Sequence, residues 1–131
     1  MGEADFKAFE REKYLNLETF RKSGQGVPTP VWFVRDGAAL YVNTERTSGK
    51  VKRIRNNPRV RIAPCDVRGS LRGDWVEATA AVVEDSSVGQ RVSKLADRKY
   101  GITKKLFDLL GRVNQGSRIV VRIDAPGEGQ H

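Results

Sequence analysis

One cysteine and one histidine stand among the 131 residues, and each scarcity closes off a class of chemistry. Cys65 has no second thiol with which to form an internal disulfide, and no Cys/His cluster exists to hold a metal, which suits a reducing, cytoplasmic setting. Cys65 reads as a small packed side chain. His131 is the last residue, so no Ser/His/Asp or Cys/His relay can be assembled around an imidazole base. No run of about 18 apolar residues occurs, and the N-terminus MGEADFKAFEREKY lacks an apolar core, which argues against membrane spanning and export. Myristoylation after Met1 would call for Ser or Thr where Phe6 stands.

What is abundant is positive charge. Lys and Arg total 24 against 16 Asp and Glu, giving a net charge of +8 and a pI near 10.0. An anionic partner is expected: nucleic acid, an anionic surface or a polyanionic small molecule. The length fits one domain spanning 1–131, able to bury a core without cross-links.

The charge concentrates in TERTSGKVKRIRNNP, residues 44–58. Thr47 or Ser48 can cap a short helix, Val51 and Ile54 give it an inward edge, and Asn57 before Pro58 stops it. Lys50, Lys52 and Arg53 fall near the positive end of its dipole, with no acid inside the helix to balance them. Free backbone N–H groups, a lysine and a hydroxyl together make a phosphate site, the alternative being a solvated basic helix.

Along the chain, a short helix is expected within residues 3–13, with Phe6 and Phe9 on one side. Leu15, Leu17 and Thr19 then alternate with Asn16, Glu18 and Phe20 as in a strand. Residues 27–34 and 39–43 read as two strands joined across Asp36-Gly37, a hairpin signal. Strands follow at 59–63 and 74–84, the latter covered on both faces. Ser86 or Ser87 can cap a helix carrying Val88, Val92, Leu95, Ala96 and Tyr100 on one face, ended by Gly101. Thr103 starts another, with Leu106, Leu109, Leu110 and Val113. A final strand runs over 118–124, and the polar tail at 126–131 is loose. About six short strands with a few helices, mostly linked by hairpins, predict an α+β, mainly β chain: a closed or nearly closed antiparallel barrel flanked by short helices.

Two nucleotide motifs fail on inspection. Ser48-Gly49-Lys50 looks like the end of a P-loop, yet Thr44 occupies the place of its first glycine and Val51 that of its hydroxyl. Gly24-Gln25-Gly26 has no helix after it, which rules out a dinucleotide fingerprint. Without an acid/base constellation, a catalyst would have to borrow reactivity from a cofactor.

The linked segments VPTPVWFVRDGAALYVNT, ERTSGKVKRIRNNPRVRIAPCD and RGSLRGDWVEATAAVVED resemble the pyridoxamine 5′-phosphate oxidase-like split β-barrel proteins. The similarity covers residues 14–124 and is greatest to the small actinobacterial branch of coenzyme F420-dependent enzymes. It implies a six-stranded antiparallel split barrel of the FMN-binding type, a homodimer, and a flavin or deazaflavin in a groove between subunits. Carried over by position, Lys50 and Ser48 hold the cofactor phosphate, and Asn43 and Thr44 line the same pocket. Thr29, Pro30, Val31 and Trp32 run along the tricyclic ring and present backbone groups to its polar edge.

FMN oxidases of this family carry an additional Arg and a Leu-Leu-Lys run that residues 27–34 lack. F420 has a phosphodiester and an oligoglutamate tail, which the cations Arg46, Lys52, Arg53 and Arg55 suit better than FMN. The resemblance implies hydride transfer to a small unsaturated substrate, with Tyr41, Tyr100 or solvent as proton donor and Trp32 and Trp75 as candidates for the substrate wall. Arg68 and Arg72 in the loop at 66–73 suggest a preference for acidic substrates. FMN is the alternative cofactor, and a carrier without turnover is a further reading. A nucleic-acid-binding basic barrel is the reading from another class; the aromatics are few and do not cluster with Lys and Arg on one strand, so no nucleic-acid partner is expected.

Overall fold

A computed structural model describes residues 6–101 and 118–126. Seven antiparallel strands form one sheet: β1 (Tyr14–Phe20), β2 (Gly26–Trp32), β3 (Val34–Asp36), β4 (Ala39–Glu45), β5 (Arg59–Cys65), β6 (Val76–Val83) and β7 (Arg118–Asp124). Their spatial order is β2-β1-β5-β6-β7-β4-β3. The sheet curls without closing, a split β-barrel, and its first and last strands are joined through Phe33 alone.

The barrel interior follows the period-2 alternation of each strand. Leu15 and Leu17, Leu40 and Val42, Val60 and Ile62, and Val121 and Ile123 point inward and are buried. Instead of a helix over 3–13, the described part of that segment forms a single 3-10 turn, Lys7–Phe9. Phe6 and Phe9 are both buried, so one tight turn suffices to send both rings into the barrel.

The span 27–34 is not one strand. It pairs with β1 up to Trp32 and with β4 from Val34, and this break accounts for seven strands where six were expected. The hairpin at Asp36-Gly37 forms as read, with Gly37 at φ 66°, a left-handed conformation that favours glycine. The strand expected over 74–84 is shorter at its start, and Trp75 lies outside it.

The basic helix is α1 (Gly49–Asn56). Val51 and Ile54 are 2% and 3% exposed, each burial contributing about 1.5–3 kcal/mol. That outweighs the roughly 0.3–1 kcal/mol cost of each cation at the wrong end of the dipole, so packing holds the helix against its own charge. Asn57 is extended before Pro58, as the sequence requires.

The second helix, α2 (Ser86–Tyr100), is capped by Asp85 rather than by Ser86 or Ser87. The Asp85 carboxylate accepts the Ser87 N–H at 2.8 Å and the Ser87 hydroxyl at 2.7 Å. An ionised acceptor suits a helix start better than a hydroxyl. Helix α2 packs Val92 over Val34, Ala39, Tyr41 and Val120, a second core on the outside of the sheet. The helix expected from Thr103 and most of the tail lie outside the described residues. No helix among the described residues is long and apolar enough to cross a membrane.

Strand β2 lies at one end of the sheet and contains Pro28 and Pro30. Proline has no N–H to give β1, so both residues turn that side outward, and their carbonyls with it.

Candidate functional site

Strand β4 leads directly into α1 through three residues. Ser48, extended at φ −67° and ψ 155°, caps the helix, its hydroxyl accepting the Val51 N–H at 3.4 Å. Of the two expected caps, Ser48 is therefore the one used, and Thr47 is exposed. Lys50 follows, half-buried. Its ammonium is held below the ordinary lysine range by burial first and by Arg53 second, with Glu45 opposing both. No carboxylate among the described residues lies within ion-pair distance of it.

Arg53 lies one turn further along α1 and reaches across to β1, where its Nε donates to the Thr19 hydroxyl at 2.7 Å. Burial and the neighbouring Arg21 both lower its pKa. Lys50 in the first turn, Arg53 in the last turn and Arg21 just after β1 thus act on one another beside a short helix that has no acid in its first turn. Two other cations of this region are occupied: Glu84 takes Arg46 at 2.7 Å and Arg55 at 3.6 Å, and these two arginines hold its carboxyl below the usual carboxylate range, while Lys52 is exposed.

The remaining expected site residues fall along two strands. Thr44 is buried on the inward face of β4 with Leu40 and Val42, whereas Asn43 is exposed on the opposite face. Adjacent strand residues cannot both put side chains into one pocket, so only Thr44 shares the barrel side near Ser48. On β2, Val31 packs against the interior and Thr29 shares its face, while Pro30 is exposed on the other side. Trp32 stacks on Tyr100, ring centroids 4.3 Å apart and planes within 11°. Val27 pairs with Thr19, the residue that Arg53 touches, so β2 starts beside the cation cluster and runs away from it.

The model of the family described as pyridoxamine 5′-phosphate oxidase matches residues 2–125. The chain belongs to that family. Its fold is shared with a conserved hypothetical protein, Rv2991, from Mycobacterium tuberculosis at 25% identity and a TM-score of 0.71, over 96% of this chain and 81% of that one. It is also shared with an F420 reductase at 20% identity and TM-score 0.59, over 91% and 90% of the two chains. The heme storage protein HutZ of Vibrio cholerae aligns at 19% identity and TM-score 0.66, over 90% and 84%. A search of curated proteins found no match. The pyridoxamine 5′-phosphate oxidase-like fold includes flavin-binding oxidoreductases.

This family member adds a feature that sequence reasoning missed, at the crossing between β2 and β3. Phe33 belongs to neither strand ladder, so its buried N–H and C=O need other partners. The Phe33 N–H donates to Tyr100 Oη at 3.0 Å, and the Phe33 carbonyl accepts from Lys99 Nζ at 2.9 Å. The Tyr100 hydroxyl has one proton to give, and two carbonyls stand within reach: Lys13 at 2.7 Å and Phe33 at 2.9 Å. Burial pushes the Tyr100 phenol well above its ordinary range, keeping that proton in place. Tyr41 is 7% exposed, its ring in the core beneath α2. Trp75, the other candidate wall, lies under the Arg61 guanidinium at 4.8 Å.

Lys99 also sits 3.4 Å from the centre of the Phe33 ring. Burial pushes its ammonium down to about 8, with Glu12 opposing. Between about pH 8 and 10.5 the folded chain therefore holds fewer protons at this site than the unfolded chain, and stability gains a positive slope with pH. Lys99→Met should remove that contribution. Denaturant unfolding of both proteins from pH 7.5 to about 10.5 checks it; identical slopes would contradict it.

Proposed function

We propose that the protein is an F420-dependent oxidoreductase, a reductase that binds the deazaflavin along β2 with its phosphate at the start of α1. The observation that carries this reading is Lys50: half-buried, beside Arg53, and without an ion-paired carboxylate among the described residues. Two desolvated cations repel each other, and an anion between them removes the cost. The donor set of Ser48, Lys50 and Arg53 is the chemistry of a phosphate site, and so the residues present fit a phosphate-bearing cofactor.

The dimensions support the same reading. From Val27, level with the Thr19 anchor, to Trp32 is five residues, about 17 Å of strand. That separates a phosphate at α1 from a ring lying near Trp32. Pro28 and Pro30 offer outward carbonyls to a ring's N–H, and Thr29, Val31 and Thr44 give the neighbouring surface its shape. Asn43 faces away from this groove and would join only from its rim.

When bound, reduced F420 supplies the hydride. The chain's part is to hold the phosphate with Lys50 and Ser48, to fix the ring against β2 and to keep water from its covered face. Tyr100 is committed to main-chain partners and Tyr41 lies under α2, so solvent supplies the proton. The substrate is a small unsaturated molecule on the open face of the ring. The active unit is a homodimer, the groove lying between copies. Val67 and Leu71, 62% and 51% exposed in the loop between β5 and β6, support such an apolar contact.

Titration with F420 and with FMN, followed by ligand fluorescence, tests the reading, and FMN binding alone would make the protein a flavin reductase of the same fold. Lys50→Ala should weaken F420 binding by about 1.5–3 kcal/mol, the range for a lost charge-assisted hydrogen bond, with the fold intact. An unchanged affinity would remove Lys50 from the site. Binding should persist in salt, whereas affinity for nucleic acid would fall steeply.

A further inference from the structure

We propose that Arg53 is a second phosphate-binding residue, forming a two-cation fork with Lys50, and that Gly49 is glycine to make room for it. The inference deepens the reading above and rests on it. Helix side chains lean back toward the N-terminus, which takes the Arg53 side chain over the first turn. Its Nη1 lies only 2.7 Å from where a Cβ on Gly49 would stand. Any other residue at 49 would push the guanidinium away.

The placement is also fixed from the other side. Thr19 is fully buried at the end of β1 and takes the Arg53 Nε hydrogen at 2.7 Å. That bond uses one of the five guanidinium donors and leaves both Nη groups without a protein partner among the described residues. Arg55, two residues on, shows the contrast: its charge is spent on Glu84. Arg53 is thus an anchored fork whose free edge lies over the Ser48-capped helix start beside Lys50, within the field of Arg21. A planar fork matches two phosphate oxygens, and Lys50 adds a point charge to the same group.

Four proteins test it: wild type, Lys50→Ala, Arg53→Gln and Gly49→Ala. Each is titrated with F420, with FMN and with inorganic pyrophosphate, the last read as a rise in melting temperature. Arg53→Gln should weaken F420 binding about tenfold or more and abolish the pyrophosphate shift. Gly49→Ala should displace only the far end of a flexible side chain and favours helix, so its own melting temperature should hold or rise while its F420 affinity falls about threefold or more. A purely structural Arg53 would not separate the two readouts in that direction.

Arg53→Gln with F420 and pyrophosphate affinities within about twofold of wild type, beside a weakened Lys50→Ala, overturns the fork and leaves the F420 reading standing. Pyrophosphate binding that depends on Arg53, without F420 or FMN binding, upholds the fork and overturns the cofactor. A wild-type protein that takes none of the three overturns both.

Discussion

Replacing Tyr100 by alanine should lower the unfolding free energy by about 3–5 kcal/mol, and by phenylalanine by about 1–3 kcal/mol. The phenylalanine variant keeps the ring stacked on Trp32 but strips the partner from the Phe33 N–H, leaving a buried donor unpaired. The alanine variant loses the stack as well. Chemical denaturation gives both numbers, and Trp fluorescence separates them: only Tyr100→Ala should change the environment of Trp32. If Tyr100→Phe matched wild type in stability, the hydroxyl would have no part in holding the β2–β3 crossing.

The second large effect is expected at Phe9. Its ring is 1% exposed and meets Phe6 and Phe33 edge-on, centroids 6.2 and 6.1 Å away. Phe9→Ala should cost about 3–5 kcal/mol, the range for emptying a buried aromatic site. A loss below about 1 kcal/mol would mean that the 3-10 turn is docked too loosely to belong to the core.

The two sites share a physical theme, which also explains what the sequence could disclose. Every strand whose apolar residues alternate was legible, because alternation is a local property: Leu15 and Leu17, Val60 and Ile62, Val121 and Ile123 all face the barrel as read. Helix α1 was legible for the same reason, its cap and its stop both lying within a residue of its ends. The break at Phe33 was not, since its backbone is satisfied by residues 66 and 67 positions away. Nothing near Phe33 records that Lys99 and Tyr100 will arrive. Glu18 is similar: a carboxylate 9% exposed in mid-strand reads as solvent-facing until Arg61, 43 positions on, closes on it at 2.6 Å.

For the candidate site the division is the same. The cluster of cations at α1 was visible in the sequence, but which of them are free was not. Arg46 and Arg55 are spent on Glu84 across the fold, and Arg53 is aimed by Thr19, 34 positions earlier. Strand parity also divides neighbours that a linear motif groups together, Asn43 from Thr44 and Pro30 from Val31.

Pro28 and Pro30 carry one more implication, concerning how copies of this chain can meet. A sheet grows by exchanging N–H and C=O groups rung by rung, and a margin that offers oxygens without hydrogens stalls such growth at both prolines. Self-association along this border would have to proceed through side chains, and in the reading proposed above the border stays open to a small guest whose own hydrogens complete it. On that proposal, the same residue pair that blocks fibril-like stacking also keeps a berth for the cofactor.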